Sequence, residues 1–133
     1  MKLEQAIHAR WAASAALCAL LPAERFTTGT AHAANRPYAT LVRKRGRTLC
    51  RTHAGDALDE IPLEIHLWHD AFDAGQAIAH EVTATFDRSG FPLSDGGRVM
   101  HMRRAGESVV EHPDGVWQWT LAFSVRVHLP SGH

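Results

Sequence analysis

The stretch VWQWTLAFSVRVHL, residues 116–129, decides the fold, because apolar and polar side chains alternate along nearly all of it. The apolar positions are Trp117, Trp119, Leu121, Phe123, Val125, Val127 and Leu129. This period of two predicts a β-strand with one buried face and one solvated face. At about 3.3 Å per residue the strand runs roughly 40 Å, so we expect its ends to reach beyond the core of the monomer and to serve a partner.

A second one-sided strand is predicted over residues 61–68, where apolar side chains alternate in the same way. Pro62 is tolerated because it lies at the start of the strand. Shorter β-prone runs are expected to form further extended segments at Phe26, 37–43 and 98–104. We expect residues 48–53 to return as the second arm of a hairpin. Residues 105–115 are expected to connect the strand at 98–104 to the long final strand.

Two helices are predicted from apolar side chains that recur every three or four residues. The first covers residues 3–21 and is ended by Pro22, since the residue before a proline is forced out of helical geometry. The second begins near Asp70 and Asp73, which are suitable N-terminal caps, and it ends at residues 89–90. Its apolar face consists of Phe72, Gly75, Ile78, Ala79, Val82 and Phe86.

One-sided strands need a cover for their apolar face, and the two amphipathic helices supply one. The expected fold class is therefore α+β: a two-layer sandwich of a mainly antiparallel sheet of four to five strands with two helices on one face. We expect the helices to contact strand side chains, namely Leu63, Ile65, Leu121, Phe123 and Val125. The chain has 133 residues and no internal repeat, so residues 1–133 are expected to form a single domain.

Charge and cysteine content narrow the classes of function. Fourteen Lys and Arg cancel fourteen Asp and Glu, which argues against a basic nucleic-acid-binding domain. The ten histidines make the chain cationic in mild acid, since an ordinary histidine gains its proton at about pH 6.5. Cys18 and Cys50 are too few for a disulfide framework, and a reducing compartment is the simpler expectation.

The N-terminal segment resembles an export signal, but its features do not occur in the usual order. An apolar run at residues 11–21 is followed by a cleavage-like triplet at 31–33, but Glu4 and Arg10 precede the run and the triplet is distant. The run is also too short to cross a bilayer. We interpret it as a helix of the folded domain, with a cleaved export signal as the alternative.

No arrangement of reactive side chains stands out. His66 and His69 are spaced like a ligand pair, but on one strand they point to opposite faces, which disfavours a metal site. His101 is expected on the sheet surface and Cys18 in the core. The chain has no Gly-rich phosphate loop, no Ser nucleophile elbow and no paired-Cys zinc spacing. We therefore expect no enzyme activity, no catalytic residue, no cofactor and no metal.

The basic stretch Arg43-Lys44-Arg45-Gly46-Arg47 is the one local concentration of charge. At a hairpin tip its four cations could contact phosphates, pair with an acidic protein surface or stay solvated, and the residues alone leave these alternatives open. One such tip makes too few phosphate contacts for strong nucleic-acid binding. The candidate interface residues are Arg43, Lys44, Arg45, Arg47 and Trp117.

Several short motifs occur in a characteristic order after the Ala-rich N-terminal helix. They are Pro37-Tyr38 at a strand start, EIHLW at residues 64–68, QAIA at 76–79 and WTLAFSVRV at 119–127. This order resembles the tail-completion proteins of long-tailed phages, which are also called tail-terminator or head-tail joining proteins. The resemblance covers nearly the whole chain. Similar proteins occur in prophages and in gene transfer agents, the phage-like particles that some bacteria encode.

The resemblance implies a structural virion protein and no enzyme. Members of the family assemble as a ring, generally of six subunits, between the head connector and the end of the tail tube. The implied partners are further copies of the chain, a head-connector or adaptor protein and the tail-tube protein. DNA would pass through the channel without sequence recognition, and neither a membrane nor a cofactor is implied. Such a protein is made in the bacterial cytoplasm and located at the neck of the virion.

A secreted or cytoplasmic small ligand-binding α+β module is the alternative function. It would bind zinc or a small molecule through its His-rich surface and be stabilised by that ligand. A secreted module would also require cleavage of the N-terminal segment. An intact mass beginning at residue 1 or 2 would argue against secretion.

Overall fold

The helices and two of the long strands lie where the sequence shows a helical or an alternating period. The computed structural model describes residues 2–29 and 35–131. Its helices are α1 (Leu3–Ala13), α2 (Ala15–Leu20) and α3 (Phe72–Phe86), with a 3₁₀ turn at Ala23–Arg25. Its strands are β1 (Phe26–Thr28), β2 (Tyr38–Arg43), β3 (Arg47–Arg51), β4 (Ala57–His69), β5 (Ser89–Pro92), β6 (Arg98–Glu111) and β7 (Trp117–Leu129).

The long final strand β7 lies inside the sheet. The strand order is β1-β2-β4-β7-β6-β5, and β3 also pairs with β4. The β1–β2 pair is parallel, and the other described pairs are antiparallel. β4 pairs with β7 from residue 57 to residue 69, and β6 pairs with the other side of β7. Both neighbours therefore satisfy the backbone of β7 along nearly its whole length.

The expectation that the ends of β7 reach beyond the core is wrong. From Trp119 to Val127 its odd-numbered side chains are at most 1% exposed, and Trp117 and Leu129 at its ends pack against the core half-buried. The strand is as long as predicted, but β4 has the same length of 13 residues and lies beside it throughout. Strand length alone therefore gives no surface for a partner here.

The two faces of the sheet differ in what lies against them. The helix face carries the odd-numbered side chains of β4 and β7, most of which form one buried cluster with side chains of α1, α2 and α3. Leu63, Ile65, Leu121, Phe123 and Val125 all belong to this cluster. The bare face carries the even-numbered side chains of the same two strands, which are mainly polar and half-buried.

The fold is mixed α+β, with a curled sheet of seven strands where the sequence predicted four to five. The extended piece at Phe26 was expected and forms β1. Neither β5, which has four residues, nor the path of β3, which has five, was predicted from the sequence. Segments this short are poorly determined by a period of two, and their pairing depends on long neighbours.

β3 continues the direction of β2, so the predicted hairpin around the basic stretch is wrong. β2 pairs with residues 63–68 of β4 and β3 with residues 57–60, both antiparallel and on the same side. A Cβ at Gly46, between the two strands, would lie 2.9 Å from the carbonyl oxygen of Glu60. A residue without a side chain lets the chain stay beside β4 here. The hairpin instead joins β3 to β4 through residues 52–56.

β6 extends to Glu111, so most of the predicted connection at 105–115 belongs to a strand. Residues 106–111 pair with 117–122 of β7, and a turn containing Gly115 at φ 85° joins the two strands. This part of β6 is exposed on both faces. Its sequence therefore lacks the alternation from which the other long strands were predicted.

The first helix is broken at Ser14, where one continuous helix was predicted. Ser14 has an extended backbone, and its Oγ accepts a hydrogen bond of 3.2 Å from the Leu17 N–H, which caps α2. Trp11 Nε1 donates to the Leu21 carbonyl at 3.0 Å across the break. The break lets all three apolar side chains, Trp11, Leu17 and Leu21, reach the core.

α3 covers the predicted second helix, but neither predicted cap is used. The N-cap residue is Ala71, which makes no side-chain cap, and Asp70 instead pairs with Arg36 at 2.6 Å. The predicted apolar face is buried except for Phe72. At Gly75 a Cβ would overlap the indole ring of Trp119, so the helix can approach the sheet this closely only with glycine.

The apolar run at residues 11–21 contributes three side chains to the buried core, as expected for a helix of the folded domain. The cleavage-like triplet at 31–33 lies outside the described residues. Among the helices that the structure describes, none is both long enough and apolar enough for a bilayer crossing.

Candidate interaction surfaces

Among the described strands, the longest stretch without a partner on one side lies on the outer side of β6. β5 pairs with this strand between residues 98 and 102 only. Beyond that point β7 is the one described strand that pairs with β6. We name residues 105–111 the open edge, and all of them except Gly106 are exposed. A row of free backbone N–H and C=O groups of this kind is a template for pairing with another chain.

Apolar side chains flank the open edge on both faces of the sheet. Val109 is 38% exposed on the helix face and Val110 52% exposed on the bare face. On the helix face, Phe72 is 41% exposed and packs edge-on against Trp117, with 5.0 Å between ring centroids. The candidate interface residue Trp117 is thus half-buried at this end of the sheet. Exposed apolar side chains grouped beside a free edge are typical of interaction sites.

Two glutamates set the charge of the open edge. Glu107 is the register partner of Leu121 and Glu111 that of Trp117, so both carboxylates lie on the helix face. Glu107 Oε2 is 3.5 Å from Arg104 Nη1, an exposed pair that contributes little to stability. A strand that pairs with this edge has to accommodate two negative charges.

A second free edge lies on the opposite side of the sheet, at β3. Among the described strands β3 pairs only with β4. Its side chains are exposed except for Leu49, which is half-buried beside a register shift. Arg51 at one end of β3 makes this edge basic, whereas Arg47 at the other end lies 3.1 Å from the Glu60 carboxylate. This edge and the open edge therefore carry opposite charge.

The structure places the basic stretch at residues 43–47 along β4 and not at a protruding tip. Three of its four cations have carboxylate partners within the chain. The nitrogen–oxygen distances are 3.1 Å for Arg43–Glu4, 3.5 Å for Lys44–Glu64 and 3.1 Å for Arg47–Glu60. These partners offset much of the positive charge, so the stretch presents mixed charge to its surroundings. Arg45 is the cation of this stretch for which the structure describes no such pair.

His66 belongs to a hydrogen-bond network on the bare face. Its Nε2 is 3.0 Å from Glu64 Oε1, and its Nδ1 is 3.2 Å from Gln118 Nε2 and 3.3 Å from Thr120 Oγ1. The Gln118 side chain in turn contacts His112 Nε2 at 2.8 Å. This network links β4 to β7 and to the turn after the open edge. These hydrogen bonds hold the end of the β6–β7 hairpin against β4.

His69 lies on the helix face, so the predicted opposite orientation of His66 and His69 is confirmed. Its Nδ1 accepts a hydrogen bond of 2.9 Å from the Ala71 N–H just before α3. Burial lowers the pKa of His69, and the nearby Asp70 carboxylate opposes this shift. Within residues 2–29 and 35–131, His, Cys, Asp and Glu side chains form no group of three that could hold a metal ion.

The other candidate residues lie where the sequence placed them or close to it. His101 is exposed on the bare face of β6, opposite Arg126 of β7. Cys18 is half-buried and packs against the core, while Cys50 is exposed on β3. None of these positions combines a nucleophile with a hydrogen-bonded base in the part of the chain that the structure describes.

The fold is shared with a chain of a phage-like particle. The matching chain comes from a structure titled "Virion of native gene transfer agent (GTA) particle", with a TM-score of 0.77. The alignment covers 96% of this chain and 95% of that chain at 19% sequence identity. At this identity the likeness shows the fold alone. No curated protein matches the sequence.

The sequence itself shows the family. Residues 5–128 match the family model described as Tail completion protein gp17. The chain belongs to this tail completion family, as the order of its motifs predicted. It is therefore a structural protein of a phage-type tail, and its location is the virion.

Sequence reasoning missed the open edge as a surface. The segment AGESVVE at residues 105–111 has two adjacent β-branched valines, which favour a strand. It is followed by Asp114-Gly115, a dipeptide that commonly forms the turn of a β-hairpin. These two signals together could have extended the strand to residue 111, and its exposure on both faces could then have been read from the missing alternation.

Proposed function

We propose that this protein forms a closed ring at the neck of a phage-like particle, where it terminates the tail and joins the head connector to the tail tube. Membership of the tail completion family, over residues 5–128, is the observation that carries this proposal. A cyclic ring of more than two subunits requires two different complementary surfaces on each subunit. The free edges of β6 and β3 are candidates for such a pair. The proposed number of subunits is six.

The proposed partners follow from the position at the neck. They are further copies of this chain, a head-connector or adaptor protein on one side and the tail-tube protein on the other. DNA would cross the ring without sequence recognition. The balanced charge of 14 basic and 14 acidic side chains supports this role, since strong binding to phosphates would hinder passage.

Deletion of the gene from a strain that produces the particle tests the proposal. We expect full heads and separate tails in electron micrographs, and joined particles again when the gene is restored. Image reconstruction of the restored particles should show a ring of six copies between the head connector and the tail. Joined, active particles from the deletion strain would refute the joining role, and a single copy at the neck would refute the ring.

We also propose the basic stretch and Trp117 as contacts of the ring with a partner. Replacing Arg43, Lys44, Arg45 and Arg47 by Ser should prevent head-to-tail joining. The variant should lose about 1–2 kcal/mol of unfolding free energy, because it also removes three exposed ion pairs that are each worth roughly 0–1 kcal/mol.

Two control variants separate joining from stability. Arg45→Ser alone should change stability by less than about 0.5 kcal/mol, as surface substitutions usually do. Arg98→Ser, at an exposed arginine on the bare face of β6, should leave both joining and stability unchanged. Normal joining by the fourfold variant would show that the basic stretch is not an interface.

A further inference from the structure

We propose that neighbouring copies of this chain are joined edge to edge, with the open edge of β6 in one copy paired to β3 of the next. One sheet would then continue from subunit to subunit around the particle axis. This inference rests on the ring proposed above and adds the surfaces that build it.

The open edge lacks most of the features that keep strand edges of monomers from pairing. Such edges are usually short, covered, bulged, or protected by proline and lysine. Residues 106–111 contain no proline and no lysine, and their register with β7 is unbroken. Val109 and Val110 expose apolar surface on both sides of this backbone. The segment is suited to receive a strand, provided that its two glutamates are matched.

The charges exclude the simplest self-pairing of this edge. Two copies of the open edge paired antiparallel about Val109 would place Glu107 of each copy opposite Glu111 of the other. Like charges directly opposite on neighbouring strands are destabilising. A two-fold pair of this kind also cannot build a ring. The partner should therefore be a basic strand elsewhere on the molecule, and β3 carries the exposed Arg51 on a free edge.

The faces of the two edges match at adjacent positions. Arg51 is the register partner of Ala57, on the helix face, and Glu107 also lies on that face. Cys50 pairs with Leu58 and Ser108 with Thr120, so both lie on the bare face. An antiparallel register that sets Arg51 opposite Glu107 therefore sets Cys50 opposite Ser108. In this register Val109 and Val110 lie opposite the part of β3 that precedes Cys50.

The strand directions agree with this register. β3, β4, β7 and β6 alternate in direction, so β3 and β6 of one subunit run antiparallel. A neighbour that continues the sheet would present its β3 antiparallel to the open edge. In the register of the sheet the two edges are level with opposite ends of β4, displaced by about eight residues or roughly 26 Å. Closing a sheet into a ring requires tilted strands with a stagger of this kind.

A cross-link between copies tests the pairing. Opposite residues of antiparallel strands have Cα atoms about 4.5–5.5 Å apart, a separation that a disulfide can bridge. Ser108→Cys should therefore join to the native Cys50 of the neighbouring copy when isolated particles are treated with a mild oxidant. Non-reducing gels should then show a ladder of linked chains up to the full ring.

Matched variants identify the thiols involved. Ser108→Cys combined with Cys50→Ser should give no ladder. Arg103→Cys introduces a thiol on the same strand and the same face, outside the open edge, and it should give none either. A ladder from Arg103→Cys as strong as that from Ser108→Cys would indicate unspecific oxidation and overturn the assignment of the contact.

A charge exchange provides a second measurement. Glu107→Arg and Arg51→Glu should each lower the fraction of assembled ring at least about tenfold, because the like-charge contact repeats at every interface of the ring. The double variant should restore assembly. The melting temperature of each purified variant should stay near that of the unaltered protein, since both side chains are exposed.

The outcomes separate this inference from the proposed function. A ring at the neck of Ser108→Cys particles without any cross-link would overturn the edge pairing and leave the ring intact. A single copy at the neck, or no copy in the particle, would overturn both proposals. Loss of assembly in both charge variants without recovery in the double variant would also overturn the pairing of Arg51 with Glu107.

Discussion

β7 and β6 are neighbouring strands of almost equal length, yet only β7 is enclosed by the protein. β7 has 13 residues, and its side chains alternate between buried and partly exposed from Trp119 to Val127. β6 has 14 residues, of which only Val99 and Met102 are buried. The difference arises from what lies beyond each strand. β7 has a long strand on both sides, whereas β5 pairs with β6 only up to residue 102.

This comparison corrects the sequence-based expectation about strand length. The length of β7 suggested a strand with ends outside the monomer, but the protein supplies a partner of equal length. The stretch of strand that lacks a partner on one side belongs to β6, in which apolar and polar side chains alternate less regularly. A regular alternation indicates burial, and an interface made of exposed backbone lacks that alternation.

The largest expected effect is a difference in unfolding free energy between variants of two residues that pair across neighbouring strands. These residues are Trp119 of β7 and Val109 of β6. Trp119→Ala should lower the unfolding free energy by about 3–5 kcal/mol, because it removes a fully buried indole and leaves a cavity. Val109→Ala should change it by less than about 0.5 kcal/mol in the isolated protein. Urea unfolding of both variants measures the two values. A loss above 2 kcal/mol for Val109→Ala, on the order of a core residue, would show that the monomer covers the open edge.

A smaller effect contrasts two glycines of the same molecule. Gly75→Ala should lower the unfolding free energy by about 1–3 kcal/mol, because the added methyl overlaps the Trp119 ring and pushes α3 from the sheet. Gly106→Ala, on the open edge, meets no atom within 4 Å and should be nearly neutral. Thermal unfolding of the two variants provides the measurement. Equal stability of Gly75→Ala and the unaltered protein would mean that α3 does not pack on Trp119 as described.

The smallest expected effect is a pH dependence at the end of β4 beside the open edge. Burial lowers the pKa of His69 from 6.5, so the folded protein binds fewer protons there than the unfolded chain does. The corresponding stability is present above pH 6.5 and is lost as the pH falls toward the lowered pKa. His69→Ala should therefore flatten the decline of unfolding free energy below that pH.

Urea unfolding of the unaltered protein and of His69→Ala at several pH values checks this. Burial also lowers the pKa of His8, so part of the decline should remain in the single variant. Adding His8→Ala should reduce the slope further. An identical slope in the unaltered protein and the double variant would contradict the prediction.

The helices and strands that were predicted well are those along which buried and exposed side chains recur with one constant period. β4, β7 and α3 bury one face along most of their length, and the apolar positions that were named for them are buried except for Phe72, Trp117 and Leu129. The break at Ser14 was not predicted because α1 and α2 together keep a helical spacing, and the break depends on where Trp11 and Leu17 find room in the core.

The candidate sites were predicted less well for a similar reason. Arg43 to Arg47 were identified as cations, but their partners Glu4, Glu60 and Glu64 come from other parts of the chain. Trp117 was named only as an interface candidate, and the structure places it half-buried at one end of the sheet. The open edge beside it was missed, since a free edge is defined by the absence of a neighbouring strand, and no local pattern records that absence.

The sequence by itself determined the family, the α+β class and the burial of the long final strand. These properties follow from local periods and from the order of short motifs, which each segment carries independently of its neighbours. The tertiary structure alone decided three properties of the sheet. β3 continues the direction of β2, β7 has a long strand on each side, and about half of β6 has no strand on its outer side. Those properties depend on which strands pair and how far each pair extends, and pairing between distant segments is set by the packing of the whole sheet.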